Sequence, residues 1–445
     1  MLDHSLLLGD LYQLSMLEVY QRHGMDKTAV FELFVRKLPS RRGFLMMAGL
    51  EQLVQFLEQM HYSEQELEWL RTTGLFSGAF VDSLANVRFT GDLDSMAEGT
   101  VFFPNEPMVR ITAPLAQAQL VESRLINLIH FQTIVASTAA RMVLAAPGKA
   151  LVDFGFRRAH GAEAGLLAAR AAYVAGFAGT ATLEANRAFG VPVFGTMAHS
   201  FIQAHDDEAT AFERFALARP KALTLLIDTY DTEAGARLVA RLTPRLAKSG
   251  ITIAAVRLDS GDLAKHAFNV RAILDGAGFH QIRIMASGGL DDRALQALMH
   301  KGAPIDLFGI GTSLTTSSDA PALDCAYKLQ EYAGLPRRKL SEGKATLPGR
   351  KQVWRRLHDD GTIAEDTVAL LDEAPLGNPL VHPVLRNGQR VPPLSTLARV
   401  RAHAAASLAT LPPPLRHLED SGVPVQISQG LRHLVAQMDS ATGKA

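Results

Sequence analysis

Residues 195–201, GTMAHSF, set His199 just beyond a short apolar run, Val191–Phe194, where a strand gives way to a helix. An imidazole there is either a polar residue satisfied at a helix start or a group placed for proton transfer or nucleophilic attack. Its company bears on the choice. Asp228, Asp231, Asp259 and Asp262 follow two later apolar runs. Such acids either cap helices or form a carboxylate set that holds ribose hydroxyls, positions Mg2+ or orients a histidine. The polar density of Arg257-Leu258-Asp259-Ser260-Gly261-Asp262 favours the second reading there. His205-Asp206-Asp207-Glu208 reads instead as a solvated helix start.

Ser287-Gly288-Gly289 and Gly309-Ile310-Gly311-Thr312-Ser313 end two further apolar runs. Glycines let backbone amides approach a phosphate, and a following helix start adds a favourable dipole, although plain turns use the same residues. Phe154-Gly155-Phe156-Arg157-Arg158 offers a face to stack on and a cation, which suits a flat anionic ring; a packed aromatic beside a surface arginine is the plainer alternative. Between 337 and 356 there are eight Lys or Arg against one acid, Glu342: a solvated loop or a polyphosphate clamp. Zinc chemistry has no support, since no HExxH and no paired cysteines occur.

These residues need elements to hold them. From 149 onward an apolar run ending in polar residues or Gly recurs seven times, at 150–158, 176–182, 191–200, 222–231, 251–262, 282–291 and 305–314. Helical periodicity fills several of the gaps, as in 232–250 and 293–303. Strand–helix alternation of this kind predicts a parallel sheet with crossover helices, most simply a β/α barrel, whose chemistry sits at the C-terminal strand ends. Those ends are where Arg157, Arg158, Thr180, His199, Arg257, Asp259, Ser287 and Thr312 fall. Upstream, 10–22, 50–60 and 115–130 read as helices and 28–38 as a strand. The predicted organisation is an N-terminal α+β domain over 1–145, a barrel over 146–325, and a C-terminal region over 326–445 that packs with the N-terminal domain.

Lys plus Arg and Asp plus Glu both number 45, so no global charge draws nucleic acid or an anionic membrane. The N-terminal MLDHSLLLGDLYQ lacks a basic, apolar leader, and the apolar stretch 162–180 is broken by Glu163 and Arg170. A single cysteine, Cys325, excludes an internal disulfide and fits a reducing compartment. The expectation is a cytoplasmic protein without membrane or nucleic-acid partners.

The motifs GDLYQLSM (9–16), FELFVRKLPSRRGF (31–44), DFGFRRAHG (153–161), GTMAHSF (195–201), IDTYD (227–231), RLDSGDL (257–263), ASGGLD (286–291), DLFGIGTSL (306–314) and KLSEGKATLPGRKQV (339–353) closely resemble those of nicotinate phosphoribosyltransferases. The resemblance spans nearly the whole chain. It implies an irregular β/α barrel of the type II phosphoribosyltransferase kind, with an additional α+β domain and a small C-terminal region. It implies that nicotinate and 5-phosphoribosyl-1-pyrophosphate give nicotinate mononucleotide and pyrophosphate in NAD biosynthesis and salvage. In this family ATP hydrolysis is coupled through a phosphorylated histidine, and His199 occupies that position. Asp231 is expected to accept from its other nitrogen and fix the tautomer.

The resemblance further implies ring stacking by Phe154, a carboxylate contact by Arg157, and a second stacking face from Tyr12 of a partner subunit in a head-to-tail homodimer. Thr180 joins the substrate-binding set. Arg257 and Asp259 are expected at the ribose, and Ser287, Gly288, Gly289, Gly311 and Thr312 at the 5-phosphate. Mg2+, through ligands not assignable from sequence, would receive the pyrophosphate. Nicotinamide phosphoribosyltransferase is the nearest alternative. That relative carries an aspartate where this chain has Ala181, and alanine there favours the acid as substrate. Gly9 and Thr138 depart from the threonine and lysine common among relatives. A phosphosugar isomerase or aldolase would want a catalytic Lys or Glu at a strand end. A non-catalytic phospho-ligand-binding barrel would not need His199, Asp231 and Asp259 together.

Overall fold

The parallel strands of the region from 138 to 319 are short and apolar on both faces, as strands covered by helices must be. In this computed structural model, which describes residues 4–441 except 392, 394 and 420, six of them form one sheet. Its order is Gly179–Thr180, Ala150–Asp153, Leu307–Ile310, Arg283–Ser287, Ile253–Leu258 and Leu223–Leu226, and every neighbour is parallel. The apolar run at 191–200 does not become a strand. Pro192 has no N–H to donate, and the segment makes a single bridge, Thr180 to Val193, supported by Thr180 N–H to Pro192 O at 3.0 Å and Phe194 N–H to Thr180 O at 2.9 Å. Among the described residues nothing pairs Val193 with Leu223–Leu226, so the barrel is a half-barrel, open at that seam. Helices Ala162–Ala175, Thr232–Lys248, Leu263–Gly276 and Asp292–His300 make the crossovers.

The chain divides into two compact units, 138–319 and a second made of 1–137 together with 320–445. The division falls inside the helix Glu122–Ala145 rather than at its end near 145, where the sequence placed it. That helix also runs past the predicted 130. It is long and apolar enough to cross a bilayer, yet 78% of its most apolar window is buried, as expected of a core helix.

The second unit is α+β. In its seven-stranded sheet Thr28–Val35 lies between Cys325–Tyr332 and Val109–Pro114, and Asp92–Met96 pairs with Val381–Arg386. A four-stranded sheet holds Lys351–Leu357 against Ile363–Leu370. These sheets consume most of the basic run. Arg338 pairs with Asp439, Arg350 with Glu331 at 2.6 Å, Lys351 with Glu32 at 2.8 Å, Arg355 with Asp366 at 2.5 Å and Arg356 with Glu365 at 3.2 Å. The polyphosphate clamp is therefore corrected for these five: their charges are spent on carboxylates of their own unit.

Arg355, like Lys351, is buried in its arrangement. It meets both oxygens of Asp366, its cross-strand neighbour, donates to Val101 O at 2.9 Å and lies 5.6 Å from the Phe103 ring centre. Burial, then the Asp366 charge, push the Glu106 carboxyl well above its ordinary range beside the ion pair. Removing one partner of a buried pair leaves an uncompensated charge. Arg355→Met is accordingly expected to cost about 3–5 kcal/mol, read as a lowered urea midpoint with an unchanged slope.

Candidate active site

The C-terminal ends of the parallel strands converge on one guanidinium. Arg257, near the end of Ile253–Leu258, donates through Nε to Ser287 Oγ at 2.8 Å, through Nη2 to Asp259 Oδ1 at 2.7 Å and through Nη1 to Thr196 Oγ1 at 3.2 Å. Its Cζ also lies 5.4 Å from the centre of the Phe154 ring, within cation–π range. One side chain thus ties together the ends of three strands and the loop before His199. The fork geometry of arginine makes this possible; a lysine ammonium could not span the same partners.

Asp259 receives the Ser287 hydroxyl on Oδ1 at 2.5 Å. Burial works to raise its carboxyl, but the Ser287 hydrogen bond and the Arg257 charge outweigh that and hold it below the ordinary aspartate value, so it is an anion. Its backbone N–H and the Ser260 hydroxyl donate to Asp228 Oδ2 at 2.8 and 2.7 Å. Asp228 Oδ1 is buried and has no hydrogen-bond partner. Gly288 follows Ser287 with φ +91°, and a Cβ there would stand 2.1 Å from Asp259 O, so glycine is required for the two strand ends to approach.

His199 opens a short helix, His199–Gln203, and is about one-third exposed. Its Nδ1 lies 3.1 Å from Thr229 Oγ1 and its Nε2 3.6 Å from Asp259 Oδ2. The expected partner was Asp231, and that expectation is corrected. Asp231 is the N-cap of Thr232–Lys248, its Oδ1 accepting from Ala234 N–H at 2.7 Å. Asp262 likewise caps Leu263–Gly276. Of the four strand-end acids, then, two serve helix starts while Asp228 and Asp259 build the site.

Thr180 is also corrected. It is fully buried, and its hydroxyl donates to Asp153 Oδ2 at 2.7 Å, so it braces the first two strands rather than offering a free hydroxyl. Asp153 takes the Gly155 N–H at 2.7 Å on its other oxygen. This brace fixes the turn that presents Phe154, whose ring lies over Gly309: a Cβ on that glycine would meet the ring at 2.6 Å. Arg157 lies in the turn Phe156–Arg158, exposed. Gly288, Gly289 and Thr312 are exposed, whereas Ser287 is buried with its hydroxyl engaged. Tyr12 belongs to the other unit, on the helix Leu11–Arg22, with a 45% exposed side chain. Its hydroxyl is pushed up to about 12 by burial and the neighbouring Glu122.

Sequence reasoning missed Thr229, Thr196 and Glu208. Thr229 sits between two strand-end acids, which was the available signal. Glu208 is not the solvated residue expected: burial, then Asp228 and Asp231, raise its carboxyl to about 7, and its Oε1 is buried without a hydrogen-bond partner.

The half-barrel encloses a cavity of about 960 Å³, with Phe154, Ala181, Phe194 and Thr196 lining its C-terminal part. The arrangement is therefore an aromatic face at a cavity, a carboxylate-flanked histidine, an arginine-clamped carboxylate and exposed strand-end glycines. That set can hold a ring, a sugar and a phosphate side by side.

Comparison with known proteins identifies the family. The model of the nicotinate phosphoribosyltransferase N-terminal domain matches residues 7–130, and that of the nicotinate phosphoribosyltransferase family matches 149–333. Nicotinate phosphoribosyltransferase pncB2 of Mycobacterium tuberculosis is 49% identical over 438 residues, covering 98% of this chain and 94% of that protein. The Bacillus subtilis nicotinate phosphoribosyltransferase is 40% identical, covering 83% and 77%. The crystal structure of human nicotinic acid phosphoribosyltransferase superposes with a TM-score of 0.87 at 29% identity, covering 97% of this chain and 99% of that one. With one family model matching 7–130, a second matching 149–333, which contains the whole strand-end network, and near-half identity along its length, the chain belongs to the nicotinate phosphoribosyltransferase family and is an enzyme.

Proposed function

We propose that the chain joins the ring nitrogen of nicotinate to C1 of 5-phosphoribosyl-1-pyrophosphate, releasing pyrophosphate, and couples this to ATP hydrolysis through phosphorylation of His199. The observation that carries the reading is the setting of His199, reachable from solvent and flanked by Thr229 on one nitrogen and the anionic Asp259 on the other.

The carboxylate favours the tautomer with its proton on Nε2, which leaves the lone pair on Nδ1. Nδ1 attacks the γ-phosphorus of ATP, the bond from that phosphorus to the bridging oxygen breaks, and ADP leaves. Water later cleaves the phosphorus–nitrogen bond and gives inorganic phosphate. Asp259 thereby takes the place first given to Asp231, while Thr229 donates to the lone-pair nitrogen until the phosphoryl group displaces it.

Phe154 supplies the stacking face for the pyridine ring, with Arg157 facing its carboxylate. Arg257 and Asp259 border the ribose, and Asp259 stabilises the positive charge that grows at C1 as pyrophosphate departs. The amides of Gly288, Gly289, Gly311 and Thr312 hold the 5-phosphate. Among the described residues no group of three or more His, Cys, Asp or Glu forms a metal cage. This suits Mg2+, which is carried largely by substrate phosphates with one or two carboxylates, and Asp228 Oδ1 is the buried oxygen left to serve it. The bound ion would neutralise charge on the departing pyrophosphate. In a homodimer, Tyr12 of one copy would complete the ring site of the other; its exposed, neutral ring fits that part. A lone, half-buried cysteine whose thiol is pushed up to about 12, chiefly by burial, fits a cytoplasmic setting.

Ala181 lines the cavity with Phe154. No carboxylate stands there to accept an amide N–H2 or to repel the substrate's own carboxylate, so nicotinate is preferred over nicotinamide.

Two outcomes test the reading. In product assays with nicotinate, 5-phosphoribosyl-1-pyrophosphate and Mg2+, His199→Ala is expected to abolish the ATP stimulation and the acid-labile label from γ-labelled ATP, while ATP-independent turnover persists. A parent enzyme that takes up no label would overturn the phosphohistidine. Ala181→Asp places like charges together and is expected to raise the KM for nicotinate by at least about tenfold, with the KM for 5-phosphoribosyl-1-pyrophosphate unchanged.

A further inference from the structure

The cavity inside the half-barrel does not stop at the catalytic end. All its strands are parallel, so their first residues mark one end of the bore and their last residues the other. The lining includes Ala150, Arg283 and Leu307, each the first residue of its strand, and Lys221 and Ala222, which precede Leu223–Leu226. It also includes Phe154, Ala181 and Thr196, which lie at the opposite, C-terminal ends. The cavity therefore runs the length of the strands.

Its charge is one-sided. Arg219, Lys221 and Arg283 are its only charged lining residues, all three lie at the N-terminal end, and all three are exposed. Among the described residues no carboxylate pairs with any of them. This contrasts with Arg338, Arg350, Arg355 and Arg356 of the other unit, which are spent on acids. Between this cationic end and Phe154 the wall is mainly apolar, with Phe215, Leu223, Val193, Phe194 and Met285. Val193 and Phe194 are 40% and 38% exposed, apolar surface that a protein keeps open chiefly where something binds. A volume of about 960 Å³ is at the upper end of small-molecule sites, roughly 300–1,000 Å³, and holds more than one pyridine ring.

We propose that the N-terminal end of the bore is a second binding site for an aromatic monocarboxylate, nicotinate itself, continuous with the ring site at Phe154 and serving as its antechamber. The carboxylate meets Arg219, Lys221 and Arg283 while the ring lies against the apolar wall. Nicotinate can then wait inside the barrel while phosphorylated substrates occupy the C-terminal mouth. The assignment rests on the reading of Phe154 as the stacking residue of the catalytic site.

Equilibrium dialysis of labelled nicotinate, carried to millimolar concentration on the full-length protein, separates the two. The parent is expected to bind two equivalents per chain, and R219Q/K221Q/R283Q one, with unchanged KM for 5-phosphoribosyl-1-pyrophosphate. Lys221→Glu alone, a substitution at an exposed position, is expected to weaken the second equivalent on the order of tenfold. One equivalent in the parent, or two in the triple variant, overturns the antechamber. A rise in the KM for 5-phosphoribosyl-1-pyrophosphate would also overturn it, by showing that the cations serve phosphate. Phe154→Ala is expected to lose the other equivalent and keep the one at the cationic end; if it keeps both, the catalytic-site reading of Phe154 fails instead.

Discussion

Arg257 is the constraint around which the catalytic end is organised. A parallel sheet brings strand ends together but does not lock them, because each βα turn leaves its strand independently. One guanidinium with donors in a fixed plane holds Ser287, Asp259 and Thr196 at once and lies against Phe154. Its charge also keeps Asp259 ionised despite burial. The anion it maintains is the one beside His199. Fold closure and chemistry thus share a single electrostatic centre, which is economical because a half-buried carboxylate needs a cation in any case.

Around that centre the carboxylates divide by backbone geometry. An aspartate at the first position of a long crossover helix satisfies free N–H groups, as Asp231 and Asp262 do. Asp228 and Asp259 stand before that position, in the turn itself: Asp228 accepts from the turn of Asp259, and Asp259 accepts from Arg257 and Ser287. Glu208 adds a third carboxyl near Asp228 and Asp231, raised to about 7 by burial and their charges. Close anions cannot all ionise freely, and burial adds to this, which is why the Glu208 carboxyl stands above the ordinary glutamate range.

The α+β unit handles charge in the opposite way. Arg355, Asp366 and Glu106 are buried together, and Lys351 is buried on Glu32. With the pairs of Arg338, Arg350 and Arg356, these arrangements spend five of the eight cations between 337 and 356 on acids. The basic stretch 337–356 looked like a binding feature because a linear sequence shows its cations and hides the acids, Glu32, Glu331, Asp366 and Asp439, that strand pairing and helix docking bring to them.

Much of the architecture was legible beforehand. The recurring apolar runs with polar or glycine endings identified every strand of the parallel sheet, since burial on both faces leaves a composition signature. The run at 191–200 was the exception, and Pro192 was the visible reason. The residue types of the site, and the positions of His199, Arg257, Asp259 and Ser287, also followed from strand-end logic. What sequence could not decide was partnership. Whether His199 would meet Asp231 or Thr229 depends on a few ångströms of turn geometry, and whether Thr180 faces a ligand or Asp153 depends on a one-residue shift in which side of the pleat it takes. Likewise, only the curved arrangement of strands creates a bore with cations at one end. Composition and periodicity are local properties that a chain carries with it; pairing and enclosure arise from residues far apart in sequence, and exist only once the sheet has formed.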